Sequence, residues 1–274
     1  MSQLPSLLKV LNATKNTIFR FPLETITAIL GTIFAIVLVE KEYAEPKDFY
    51  IKALMSASLC LVLFLSISLF FLATKRSTIL RFLTSFLLGA LVVCFVFSFE
   101  KDIKDTEFLQ FVVLNIALHL LVSFAGFLTK AYHQDEFWEF NKQLFLRILT
   151  AALYSGVLYA GLALAVLAIE QLFKVEIYNN IYAHTFFIIA GVFNTIFFLA
   201  GVPQTNNQEA PLVLNYPKGL KNFTQYVLLP LISLYLVILI CYETKILVTL
   251  SLPVGWVSNL VLVFAIFGIL SFLL

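Results

Sequence analysis

The stretch Ile51–Ala73, IKALMSASLCLVLFLSISLFFLA, holds 23 residues and a single charge, Lys52, at its edge. A continuous apolar run of this length matches the ~20 residues that a helix needs to cross a ~30 Å hydrocarbon core. It is too long for a core strand. It also lacks the alternating pattern of a barrel strand, so the backbone must satisfy its hydrogen bonds inside a helix. Working outward from it, comparable runs recur along the chain at roughly 23–39, 79–99, 108–129, 144–168, 178–201, 224–242 and 256–274. The sequence therefore predicts an all-α polytopic transmembrane bundle of about eight spans.

Composition agrees. Hydrophobic residues make up 61% and charged residues 12% of the 274, against about 25% charged in a soluble domain. The charges gather in short islands between the runs. No basic stripe exists, so nucleic acid is not expected as a partner. Cys60, Cys94 and Cys241 lie inside apolar runs with no shared short spacing, which predicts small hydrophobes rather than a disulfide or metal site.

The predicted organisation is one transmembrane domain over 1–274: an interfacial segment at 1–21, spans one to four over 22–129, an interfacial helix at 130–143, and spans five to eight over 144–274. Residues 4–19 put Leu4, Leu7, Leu8, Leu11 and Ile18 near one helical face, with Lys9, Asn12 and Lys15 elsewhere, as expected of a helix lying in the headgroups. Residues 134–147 mix Phe137, Trp138 and Phe140 with Asp135, Glu136, Glu139 and Lys142 in the same manner. No small-residue cleavage site follows the first run, so that span is expected to stay as an anchor. Pro22 suits a first helical turn, whereas Pro230 should kink the seventh span. With the N-terminus in the cytoplasm, eleven of the 18 Lys and Arg fall on cytoplasmic segments and seven on the other side, which follows the positive-inside rule.

Spans one and five both follow an arginine (Arg20, Arg147) and both end in a glutamate (Glu40, Glu170). That pattern would suit a weak repeat of four spans plus four. Chance similarity between apolar helices explains it more simply.

Polar residues deep in hydrocarbon usually face the bundle interior and are the first places to look for function. Asn115, His119 and Ser123 recur every fourth residue on one face of the fourth span. His119 lies about 18 Å from the outer boundary at ~1.5 Å per residue. The functional reading is a proton relay or ligand contact; the alternative is a neutral histidine that glues helices together. In the sixth span His184, Gly191 and Asn194 share a face, and packing is the favoured role. The fifth span carries one small-residue stripe, Ala152, Gly156 and Ala160, and a second, Gly161 and Ala165. Such grooves let backbones approach closely in lipid, which would put this helix at the centre of the bundle.

His133, Asp135, Glu136 and Glu139 do not have metal-ligand spacing, and no nucleotide or nucleophile motif is present. No metal, cofactor or enzymatic activity is therefore expected. The loop 202–222 is the longest connection and the natural cytoplasmic docking surface. Two function classes lead: a non-enzymatic scaffold or sensor binding other envelope membrane proteins or a second copy of itself, and a transporter or channel for a small or lipidic solute.

The segments EFWEFNKQLFLRILTAALYSGVLYAGLALAVLAIEQLF (136–173), IIAGVFNTIFFLAGVP (188–203), YPKGLKNFTQYVLLPL (216–231) and GWVSNLVLVFAIFGILS (255–271) together resemble a bacterial multi-pass family, domain of unknown function 4153. The opening RFPLETITAILGTIFAIVLVE (20–40) is similar to that family as well. The resemblance implies a bacterial cytoplasmic-membrane protein and supplies no activity or catalytic residue. Relatives continue with further spans where this chain stops at Leu274, which implies a shortened member or a fragment. Glu243 departs from the uncharged residue expected there.

Overall fold

Apolar runs bounded by charges and prolines fold as helices because lipid offers no partner to a bare backbone N–H or C=O. In the computed structural model, residues 7–41, 47–128, 134–203 and 224–250 are described, with 261, 262, 264, 265, 268 and 269 beyond them. All regular structure among the described residues is helical. The helices are α1 (Leu7–Arg20), α2 (Pro22–Glu40), α3 (Asp48–Thr74), α4 (Thr78–Phe97), α5 (Asp105–Phe124, tightening into a 3₁₀ turn at Ala125–Phe127), α6 (Gln134–Phe173), α7 (Ile181–Ala200) and α8 (Leu229–Thr249). Seven of them, α2 to α8, are long and apolar enough to cross a bilayer. The chain is a multi-pass membrane protein of all-α class. The eighth expected span (256–274), most of the loop 202–222, His133 and residues 1–6 fall outside the described residues, apart from a few isolated positions in that span and the start of the loop.

Local chemistry sets the boundaries. Pro22 takes the first turn of α2, where its missing N–H costs nothing. Phe21, fully buried between α1 and α2, lets the chain turn while its N–H still reaches Thr17 O at 2.9 Å. Ser77 caps α4 by accepting the Ile79 N–H. Lys75 ends α3 in the left-handed conformation (φ 52°).

One expectation is corrected. The stretch from Gln134 to Lys142 is not a separate interfacial helix but the opening turns of α6, which runs 40 residues. At 1.5 Å per residue α6 measures about 60 Å, twice the hydrocarbon thickness, so much of it must lie outside that core. Its first turns are two-faced: Phe137 and Phe140 pack edge-on to Phe127, each with centroids 5.4 Å apart, while Trp138 stays exposed. Pro230, expected to kink the seventh span, stands in the first turn of α8 directly behind a π-helical turn, Thr224–Leu228, where the helix is irregular. Proline has no N–H to give the carbonyl four residues back, and the irregular turn forms there.

The described residues fall into two compact units, one lying within 5–151 and 190–210, the other within 152–189 and 211–274. In the first unit α3 is the central helix, with two thirds of its apolar window buried. The small-residue stripes of α6 predict it at the centre of the bundle, and 22% of its apolar window is buried. α3 supplies many of the buried side chains of this core, among them Leu59, Leu63, Phe64 and Phe71, and its neighbours approach it closely. Gly31 of α2 faces Ala57, and Gly89 of α4 faces the Phe64 ring. The smaller core of the second unit joins Ala165, Ala168 and Leu172 of α6 to Ile238 of α8, with Tyr235 and Tyr242 against them.

Candidate functional site

The α5 stripe does not turn inward. The buried side chains of α5 are Leu118 and Val122, whereas His119 is exposed and Asn115 and Ser123 only half-buried. The polar side chains of His119 and Ser123 are served by their own helix: His119 Nδ1 lies 2.8 Å from Asn115 O, and Ser123 Oγ donates to Leu120 O at 2.8 Å. Self-satisfaction of this kind lowers the cost of holding a polar side chain on an outward face. Asn141 of α6 donates to Ser123 O at 3.2 Å and so pins the α5–α6 turn.

On α7 the expected face divides between the two units. His184 is half-buried in the second unit, its ring 5.8 Å from Tyr178. Gly191 and Asn194 belong to the first. A π-helical segment, Ile188–Phe193, contains Gly191 and presses it against Thr32 Oγ1 of α2, leaving no room for a Cβ.

The two small-residue stripes of α6 behave differently. Ala152, Gly156 and Ala160 are exposed, and a Cβ at Gly156 would meet nothing within 4 Å. Gly161 is occupied: a Cβ there would stand 2.5 Å from Leu231 Cδ1, and Tyr235 donates its hydroxyl to Gly161 O at 3.0 Å. Ala165 is buried beside them at 3% exposure.

Sequence reasoning missed the most polar place in the first unit. Glu24, in the first turn of α2, has 0% of its surface exposed. Ser68 of α3 donates to its Oε1, while its Oε2 has no hydrogen-bond partner. Ser85 (1% exposed) and Arg81 (7%) are buried on α4 one turn apart, and Ser85 Oγ and Arg81 Nε are likewise unanswered. The Arg81 charge acts on the Glu24 carboxylate. The available signal was Glu24 itself, an acid inside an apolar run. Ranking polar residues by closeness to mid-bilayer passed over a residue only one turn in.

Arg81 also opens a set of helix caps. Its Nη2 donates to Arg20 O, the last carbonyl of α1, at 3.1 Å. Arg20 Nη1 donates to Val202 O, just past α7, at 3.3 Å. Arg147 gives Nη2 to Phe197 O and Nε to Phe198 O in the last turn of α7. Burial pulls the Arg20 guanidinium below its ordinary value, but arginine stays charged in proteins. A cation at a helix C-terminus meets both the orphan carbonyls and the negative end of the dipole.

Among the described residues no group of three or more His, Cys, Asp and Glu is placed to hold a metal ion. No curated protein and no solved structure matches the chain. Comparison with family models matches residues 27–274, starting three residues after Glu24 and covering Ser68, Arg81 and Ser85. A match over this share of the sequence makes the chain a member of the family described as domain of unknown function (DUF4153).

Proposed function

We propose that this protein is a non-enzymatic scaffold or sensor of the bacterial cytoplasmic membrane that binds helices of other envelope proteins or of a second copy. The observation behind this reading is the outward placement of what helices use to associate in lipid. In lipid, association rests on close packing at small residues and on interhelical hydrogen bonds. The Ala152–Gly156–Ala160 stripe is open, and His119 stands exposed in the middle of α5. The test is in-membrane photocrosslinking from position 119, followed by purification in mild detergent. The reading expects one discrete adduct, lost in Gly156→Leu while the variant stays monodisperse. Crosslinks to lipid alone would refute it.

A second reading, transport of a small solute, draws on the buried polar atoms at Glu24, Ser68 and Ser85. Cysteine-accessibility scanning along α5 and α7, in a background without Cys60, Cys94 and Cys241, separates the two. Labelling that reaches positions 119 and 194 from water would favour transport.

A further inference from the structure

Contacts along the first unit fix its helical register. A Cβ at Gly89 of α4 would lie 2.9 Å from the Phe64 ring of α3, and Cys60 donates its S–H to Gly89 O at 3.8 Å. α3 and α4 are antiparallel, so one turn back along α4 answers one turn forward along α3. Ser85 therefore stands at the level of Ser68. Ser68 is bonded to Glu24 of α2. Three buried polar side chains from three helices thus share one level, with Arg81 a turn nearer the helix ends.

Of their atoms, one acceptor (Glu24 Oε2), one donor (Arg81 Nε) and one hydroxyl (Ser85 Oγ) have no partner in the protein. Three such atoms so close in register differ from scattered orphans: Ser56, also unanswered, lies twelve residues from Ser68 along α3. Buried polar groups left unpaired cost too much to persist in a low-dielectric interior. Buried water characteristically makes about three hydrogen bonds to groups of this kind. Water has the required mixture, since it can donate to a carboxylate while accepting from a guanidinium.

We infer that Glu24, Arg81 and Ser85 form a binding site for a single water molecule, which donates to Glu24 Oε2, accepts from Arg81 Nε and exchanges a hydrogen bond with Ser85 Oγ. Ser68 holds the other carboxylate oxygen in place. A metal cation is disfavoured because it would add positive charge beside Arg81. The inference stands independently of the scaffold reading.

The test combines an experimental map of the full chain in lipid nanodiscs, at a resolution showing ordered water, with thermal unfolding of variants. One water-sized density among the three atoms is expected. Glu24→Gln and Arg81→Gln should each lower the unfolding midpoint, and the double variant should lose less than the sum of the two. Ser85→Ala should remove the density while the protein still folds. Direct Glu24–Arg81 contact with no density between them would overturn the inference. So would a density ringed by five or more oxygens, or strict additivity in the unfolding data.

Discussion

At the scale of single residues, two glycines five positions apart on α6 have opposite surroundings. Gly161 is filled by Leu231, whereas Gly156 has nothing within 4 Å. Gly161→Leu must displace a packed side chain, and overpacking of this kind costs roughly 1–3 kcal/mol. A lowered unfolding midpoint and a broadened size-exclusion peak in detergent are the expected outcomes. Gly156→Leu should leave both unchanged; an aggregated Gly156→Leu protein would show that the open face is occupied within the fold. The sequence made both stripes visible but could not rank them. A small-xxx-small pattern records the shape of its own helix and says nothing of which neighbour fills the groove. His119 was legible as a polar residue at depth in the same limited sense. Its direction depends on which flank of α5 meets α3, and Leu118 and Val122, one position before 119 and 123, take that flank.

At the scale of elements, the ends of α2 to α5 and of α7 were readable to within about three residues because charge and proline mark where lipid gives way to water, whereas α8 runs on to Thr249, past the expected 242. α6 was not readable, since its amphipathic opening turns continue its apolar part without a break. Also invisible was the use of cations from one helix to close the C-terminus of another. Besides the three arginines, Lys52 of α3 donates to Phe99 O beyond the end of α4, and Lys245 of α8 donates to Leu172 O at 3.0 Å near the end of α6. Lys52 is buried at 7% exposure, so its charge would be costly without this partner. Lys52→Met keeps the stem and removes the donor. It should cost roughly 1.5–3 kcal/mol, the usual worth of a hydrogen bond to a charged group. Hydrogen exchange should quicken in the last turn of α4 and leave the middle of α3 protected. Unchanged exchange at residues 94–99 would mean that water serves Phe99 equally well.

At the scale of the whole molecule, positive charge has two uses. Counted along the sequence, Lys and Arg indicate orientation: Arg20, Arg81 and Arg147 fall on the side assigned to the cytoplasm and Lys52 on the other. In the folded chain the same three arginines are drawn inward to helix C-termini in one unit. A residue engaged as a cap has limited freedom to exchange sides, because inversion would carry its buried hydrogen bonds across the bilayer. The orientation should therefore be fixed by the fold as well as by insertion. We predict a single topology in intact cells, with a tag ahead of α1 protected from external protease and tags at 42–46 or 101–104 cleaved. Glutamine at the exposed cations Lys75 and Arg76, whose side chains cap no helix among the described residues, should not invert this pattern even though it shrinks the charge bias. Mixed protection of the N-terminal tag in that variant would show that charge count alone sets the orientation, and that the arginine caps form only after the choice is made.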